Sequence, residues 1–298
     1  DLFKQGRIYR KEFPTIWCPE CQTAIAQAEL EDREIPSTFT TIKFDVNGKE
    51  LLIATTRPEL IGACVAIFLN PKDSRYKHLK GKRAKVPIFN FEVPIIFDES
   101  ASMEKGTGAM MVCSYGDKYD VDAVFRHKLK PRIIFDRQGR LTIGKYKGLK
   151  IKEARKKILE DLRHADLITD QKQISHAVNV HDKCGTEVEF LPTEQWFVKI
   201  LDKKKELIAQ GKKVKWHPKH MGKRYENWVN GLEWDWIISR DRHFGVPIPI
   251  WKCSKCGEVT LPGEKELPID PTQTKRKCKK CGSDAFGETK VLDTWATS

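Results

Sequence analysis

The chain has 298 residues and carries 54 Lys and Arg against 41 Asp and Glu, which gives a formal charge of +13 and a pI of about 9.2. Hydrophobic residues at 40% and charged ones at 32% exclude a disordered chain, and the lack of an apolar run of transmembrane length excludes a helical membrane protein. The basic excess points to a polyanionic partner, nucleic acid rather than a membrane, for a chain of roughly two domains at about 150 residues each.

Nine cysteines could suggest disulfides, but Cys18/Cys21, Cys253/Cys256 and Cys278/Cys281 are each Cys-x2-Cys knuckles with no secretory signal ahead of them. Zinc in a reducing, cytoplasmic compartment is the simpler reading. The chain opens at Asp1 and stops at Ser298 after an apolar turn, so it reads as an excised piece of something longer.

In chain order, residues 1–35 carry a helical start, Leu2-Phe3 to Ile8-Tyr9, and then the first knuckle. A lone knuckle binds zinc poorly because the ion takes four ligands in a tetrahedron. His181-x2-Cys184, some 160 residues later, supplies the best candidates for the other two. Residues 1–35 would then pair with 170–192, and the block between them, 36–169, would be a domain looped out and tied at its base by metal.

That block turns to strands. Ile42, Phe44 and Val46 alternate with Lys43 and Asp45, and Asn47-Gly48 joins them to Leu51-Leu52-Ile53-Ala54. Asn-Gly between two apolar runs predicts a type I′ hairpin, because both central residues need positive φ. The second strand delivers Thr55, Thr56 and Arg57 to its end, and Pro58 with Glu59 suits the first turn of a helix. Further strands are expected at 64–68, 84–89 and 93–97, which makes the block β-rich, a barrel or a twisted mixed sheet.

Gly106, Thr107 and Gly108 then lead into an apolar strand over 109–113, and Val121, Val124, Phe125 and Leu129 recur at helical spacing. Asp117 and Asp120 therefore sit at or just before a helix N-terminus, where one carboxylate suffices for capping. The second is left to bind an ammonium group or orient water. A hairpin of 133–135 with 141–143 closes the block, and Ile151, Ala154, Ile158, Leu159 and Leu162 make an amphipathic helix.

Residues 193–250 change character. Trp196, Phe197, Ile200 and Leu201 read as the start of a helix running into Lys203-Lys204-Lys205, and a second basic cluster runs from Lys212 to Arg224. Interleaved with Trp216, His217 and Tyr225, these cations could track a phosphate backbone or simply face solvent. Trp234 to Arg240 reads as a strand. In 251–290, Cys253-x2-Cys256-x21-Cys278-x2-Cys281 carries a glycine after each second cysteine and predicts a structural zinc ribbon, since four thiolates leave no open position. Cys64 and Cys113 stay unmatched and read as small buried apolar residues. The fold class is α+β: a β-barrel-like block, two small zinc elements and a helical basic segment.

Trp17-Cys18-Pro19-Glu20-Cys21, Ala54 to Glu59, Gly106 to Asp120, Thr193-Glu194-Gln195-Trp196-Phe197, Trp234 to Trp251 and Leu292-Asp293-Thr294-Trp295 together resemble the editing (CP1) insertion, with flanking pieces, of valyl-tRNA synthetases of archaeal type. Thr-Thr-Arg-Pro-Glu favours the valyl family over isoleucyl and leucyl relatives. The resemblance implies an editing domain over 36–169, edges of a Rossmann catalytic domain in 193–250 and the start of its second half in 291–298. It also implies hydrolysis of threonine wrongly esterified to tRNA(Val), an error that a valine pocket rejects by only about 10².

On that resemblance Asp117 pairs with the substrate ammonium, Asp120 helps hold the ammonium or the water, and Thr55 and Thr56 contact the terminal adenosine or the ester. Arg57 anchors the tRNA 3′ end, and Glu59, Gly106, Thr107, Gly108 and Lys118 complete the substrate side. Leu60, Met111 and Cys113 stand where bacterial relatives carry polar residues, so the group that reads the threonine hydroxyl does not transfer. The His-Ile-Gly-His-like and Lys-Met-Ser-Lys-Ser-like motifs of the synthetic site have no match, and His220-Met221-Gly222-Lys223 lacks the final histidine. Valine activation would belong with ATP to a longer parent, and the expected partner is tRNA(Val), through its aminoacylated 3′ end, for a protein monomeric by itself. The rivals are a non-enzymatic RNA-binding module and an editing domain for a different mischarged tRNA.

Overall fold

In the computed structural model, residues 1–297 are described; Ser298, the last residue of the expected 291–298 segment, lies outside them. The chain divides into two compact units, one of residues 16–21 and 30–191, the other of residues 1–15, 22–29 and 192–298. No helix among the described residues is long and apolar enough to cross a membrane.

The first unit is built on a seven-stranded sheet. Its strand order is Lys49–Thr55, Leu30–Val46, Arg83–Lys85, Glu92–Phe97, Ala66–Leu69 and Ala109–Val112, with Ile168–His181 also paired to Leu30–Val46. The predicted hairpin is present: Val46 pairs with Lys49, and Asn47 and Gly48 take φ of 54° and 80°, as a type I′ turn requires. Leu30–Val46 runs unbroken through position 35, so the chain does not change structure at the expected start of the β-rich block. All but its last four residues form a long antiparallel ribbon with Ile168–His181, from Leu30 opposite His181 to Ile42 opposite Ile168.

The sheet curls into a half-barrel because its outer strands approach each other: Thr107 Oγ1 donates to Leu52 O at 2.7 Å. One buried cluster joins Val65, Ala66, Phe68, Ala101, Val112, Ala123 and Val124, the last two contributed by the helix Lys118–Arg126. The helix Ile151–His164 buries Ala154, Ile158 and Leu162, as the spacing predicts. The strand expected at 84–89 is shorter, Arg83–Lys85, because the chain turns through Ile88 and Asn90 at positive φ. The 133–143 hairpin is reduced to one bridge between Phe135 and Leu141.

Two helical expectations fail in the second unit. Leu2 to Tyr9 is a turn that ends at Gly6, with φ of 66°, followed by the strand Ile8–Cys18. Trp196 and Phe197 do not begin a helix; they end the strand Glu189–Val198, and the helix starts at Lys204. The alternation there was hidden because the inward positions include Thr193 and Gln195, buried polar residues that satisfy each other by a 3.2 Å hydrogen bond. Trp196, Val198, Ile238, Ile248 and Ile250 form the core of this unit. The 234–240 segment is two short strands, Trp236–Ile237 and Ser239–Arg240, in different sheets. The ribbon is a four-stranded sheet of Val259–Thr260, Trp251–Cys253, Asp284–Gly287 and Arg276–Lys277.

Candidate active site and metal centres

The two segments singled out by sequence lie against each other, joined by a hydrogen bond from Arg57 Nη1 to Gly116 O. Thr55 ends its strand and accepts a hydrogen bond from Arg57 N at 3.0 Å, which turns the chain into the 3-10 helix Pro58–Ala63 with Pro58 in its first turn. On the facing side, Gly106 and Gly108 have φ of 61° and 85°, which lets the chain bend tightly into Ala109–Val112. Gly106 packs so closely that an added Cβ would sit 3.2 Å from Ala54 Cβ. Thr107 is occupied structurally, donating to Leu52 O while its own carbonyl accepts from Tyr76 Oη at 2.6 Å.

Asp117 is the N-cap of Lys118–Arg126, accepting from Asp120 N at 2.8 Å, and it is exposed. Asp120 is half-buried and accepts from Cys113 N at 3.1 Å. Burial first, and then the charge of Asp117, push the Asp120 carboxyl well above the usual carboxylate range, against the pull of the Cys113 N–H and Arg57. Asp117 thus serves the cap and still faces solvent beside a second carboxyl whose charged form burial disfavours. Lys118 is exposed, over the ring of its neighbour Tyr119.

Arg57 ties the two segments together. Its Nη1 donates to Gly116 O at 3.3 Å, next to Asp117, while Nε donates to Glu59 at 2.9 Å and Nη2 reaches both oxygens of Glu189 at 2.6 and 2.8 Å. Glu59, expected on the substrate side, is instead fully buried, held by Arg57 and by Arg155 at 2.8 and 2.9 Å. Burial opposes its charge, but the two guanidiniums keep its carboxyl below the usual range. A carboxylate this enclosed braces Arg57 and presents no exposed surface. Thr56 lines a pocket of about 190 Å³ with Ser37, Thr38, Arg155, Leu159 and Gln173.

Sequence reasoning missed Glu189, Glu187 and Arg155. The available signal was Glu187-Val188-Glu189: two carboxylates at period two share one face of an extended chain, and a charge on an inward face demands a partner. Leu60 and Cys113 are both buried, and burial drives the Cys113 thiol well above its ordinary range, which disfavours the nucleophilic thiolate.

Two clusters have the donor geometry of metal centres. Cys18 Sγ lies 3.5 Å from Cys184 Sγ, Cys21 Sγ lies 3.5 Å from His181 Nδ1, and Cys184 Sγ lies 3.3 Å from that nitrogen. In the second unit Cys253 and Cys281 are 3.4 Å apart and Cys256 and Cys278 are 3.6 Å apart. Within each set all four donor atoms fall within 4.8 Å of one another. A tetrahedral ion with sulfur ligands at about 2.3 Å separates its donors by roughly 3.8 Å, so both sets fit one ion each. Asp182 Oδ1 lies 3.6 Å from His181 Nε2, beyond hydrogen-bond distance.

The family model for tRNA synthetases class I (I, L, M and V) matches residues 1–298. The chain belongs to this family. Among curated relatives, the valine–tRNA ligase of Thermoplasma acidophilum is 48% identical over 303 residues, covering 100% of this chain and 38% of the relative. That of Methanocaldococcus jannaschii is 50% identical over 305 residues, covering 100% and 34%. The class I chain therefore spans little more than a third of the length of these ligases. A solved LeuRS of Agrobacterium radiobacter K84, in ternary complex with tRNA and LeuAMS, overlaps 99% of the chain and 41% of its own at 17% identity and a TM-score of 0.36.

Proposed function

We propose that the half-barrel unit hydrolyses the ester of mischarged tRNA, with threonyl-tRNA(Val) as substrate, within a longer valyl-tRNA synthetase that joins valine to tRNA(Val) with ATP. The observation that carries this reading is the Arg57–Gly116 hydrogen bond, which sets the Thr55–Thr56 strand end against the Asp117–Asp120 helix start. An aminoacyl ester is already activated, so hydrolysis needs no covalent nucleophile. A held water, donors for the developing oxyanion and a clamp on the ammonium group suffice.

Asp117 pairs with the ammonium. Asp120 joins it once the cation's charge has drawn off its proton, and either carboxylate can then orient water. Thr55 and the Thr56 backbone contact the ester or the terminal adenosine, and Gly106, Gly108 and Lys118 line the substrate side. Arg57, held on three sides by Glu59, Gly116 and Glu189, acts on the tRNA 3′ end with what remains exposed of its side chain. The two clusters hold structural Zn2+, and the protein works in the cytoplasm as a monomer on the 3′ end of tRNA(Val).

The test is ester loss. Threonyl-tRNA(Val) and valyl-tRNA(Val) are mixed with the chain at high concentration; loss of threonine with retention of valine supports the reading. Binding of both tRNAs with both esters intact favours an RNA-binding module, and preferential hydrolysis of valyl-tRNA(Ile) an editing domain for a different error.

A further inference from the structure

We propose that Glu189 is a positioning residue for this site, acting through Arg57 on the loop that carries Asp117; the proposal rests on the hydrolytic reading above. Glu189 is buried, with 3% of its surface exposed, and lies 132 residues from Arg57 in the chain. All three nitrogens of the Arg57 guanidinium are engaged, Nε by Glu59, Nη1 by Gly116 O and Nη2 by both oxygens of Glu189. A planar fork fixed at two nitrogens cannot rotate, so the third bond, to the carbonyl preceding Asp117, is aimed rather than merely allowed.

Glu189 is itself placed by backbone bonds. His181 N donates to Thr186 O at 2.9 Å and Val188 N donates to Asn179 O at 3.3 Å, which presses 186–189 against the end of the Leu30–Ile168 ribbon. Glu187, on the same face, reaches Arg155 at 3.7 Å, and Arg155 in turn grips Glu59. The Glu187–Glu189 segment therefore holds both guanidiniums that hold Glu59. Without Glu189 the Arg57 fork can swing about its remaining bond to Glu59, Gly116 O loses its donor, and Asp117 is no longer held at one spacing from Thr55.

The test compares Glu189→Gln, which keeps the shape and removes the charge, with the parent chain. Hydrolysis of threonyl-tRNA(Val) should fall about 10- to 100-fold in kcat with KM little changed, the size expected when a reacting group is misplaced by about an ångström. Hydrogen exchange at the amides of residues 116–120 should speed up, while those of the Ile151–His164 helix stay protected. Combined with Arg57→Lys, E189Q should add no further loss of kcat. Should E189Q not fold, Glu189→Asp keeps the charge, withdraws it by one methylene and predicts a smaller shift in the same direction. Unchanged kcat with unchanged exchange at 116–120, or full additivity with Arg57→Lys, overturns the proposal. A parent chain that hydrolyses no mischarged tRNA overturns the hydrolytic reading instead, and the exchange measurement then still decides whether Glu189 holds the loop.

Discussion

Each of the two compact units contains a four-donor metal cluster and a guanidinium held by two buried carboxylates, yet the two sets are built in opposite ways. In the half-barrel unit the cluster joins Cys21 to His181 across 160 positions, and Arg57 reaches Glu189 across 132. In the other unit Cys256 meets Cys278 across 22 positions, within one small ribbon. Closing the longer span costs about 2 kcal/mol more chain entropy by the logarithmic rule. The short cluster can therefore form as a local module, whereas the long one exists only once the sheet between its halves has folded. Arg240 contrasts with Arg57 as well: it is held by Glu29 at 2.5 Å and Asp293 at 2.9 Å, with 3% of its side chain exposed. Arg57 keeps 25% exposed, and its third bond goes to the candidate site rather than to more core.

The sharpest break in this comparison is functional. Asp117→Ala should lower threonyl-tRNA deacylation by about 10²-fold or more, because it removes the N-cap together with the proposed ammonium partner; initial rates of ester loss measure it, and an undiminished rate removes Asp117 from the site. Glu59→Gln and Glu29→Gln should each destabilise the chain by about 3–5 kcal/mol, since each weakens the compensation of a buried guanidinium. Urea titration checks the equality, and deacylation separates the two: per folded molecule only Glu59→Gln should lose activity.

Metal removal sharpens the contrast in assembly. Followed by a colorimetric chelator during urea unfolding, one equivalent of metal should leave together with loss of the half-barrel and the other in a separate step. Release of both in a single step would mean that the ribbon is not the independent module its short span implies.

A smaller effect concerns pH. The folded chain holds the Asp120 proton to higher pH than the unfolded chain does, so this group's contribution to stability is full below the unfolded value of about 3.9 and is lost as pH rises toward the elevated folded value. Asp120→Asn keeps an oxygen for Cys113 N and removes the charge. It should raise the melting temperature at about pH 7–8, with the gain vanishing below about pH 4. The smallest expected effect is Gly48→Ala, about 1 kcal/mol, from forcing a Cβ into a turn position with φ of 80°.

Local rules were legible where one residue type has one physical use. Asn47-Gly48 marked its hairpin, Pro58 the start of its helical turn, and the period of Ile151 to Leu162 its amphipathic helix. The Cys-x2-Cys spacings named six of the eight clustered ligands by pairs, and His181 and Cys184 were reached by asking what completes a tetrahedron around Cys18 and Cys21. Pattern failed where the inward face was polar. Glu189, Thr193 and Gln195 look like surface residues until the hydrogen bonds that satisfy them are visible, and so the strand through Trp196 read as a helix.

By itself, then, the sequence carried the family through its resembling motifs, and it carried the hairpin, the amphipathic helix and the Cys-x2-Cys pairs because turn chemistry, helical period and ligand spacing act over a few residues. Only the tertiary structure decided that Glu59 is buried between Arg57 and Arg155, that Glu189 grips Arg57 from 132 residues away, and that burial raises the Asp120 carboxyl above its usual range. Those outcomes depend on which charges are shut away from water together, and desolvation is set by neighbours as far apart in the chain as Arg57 and Glu189.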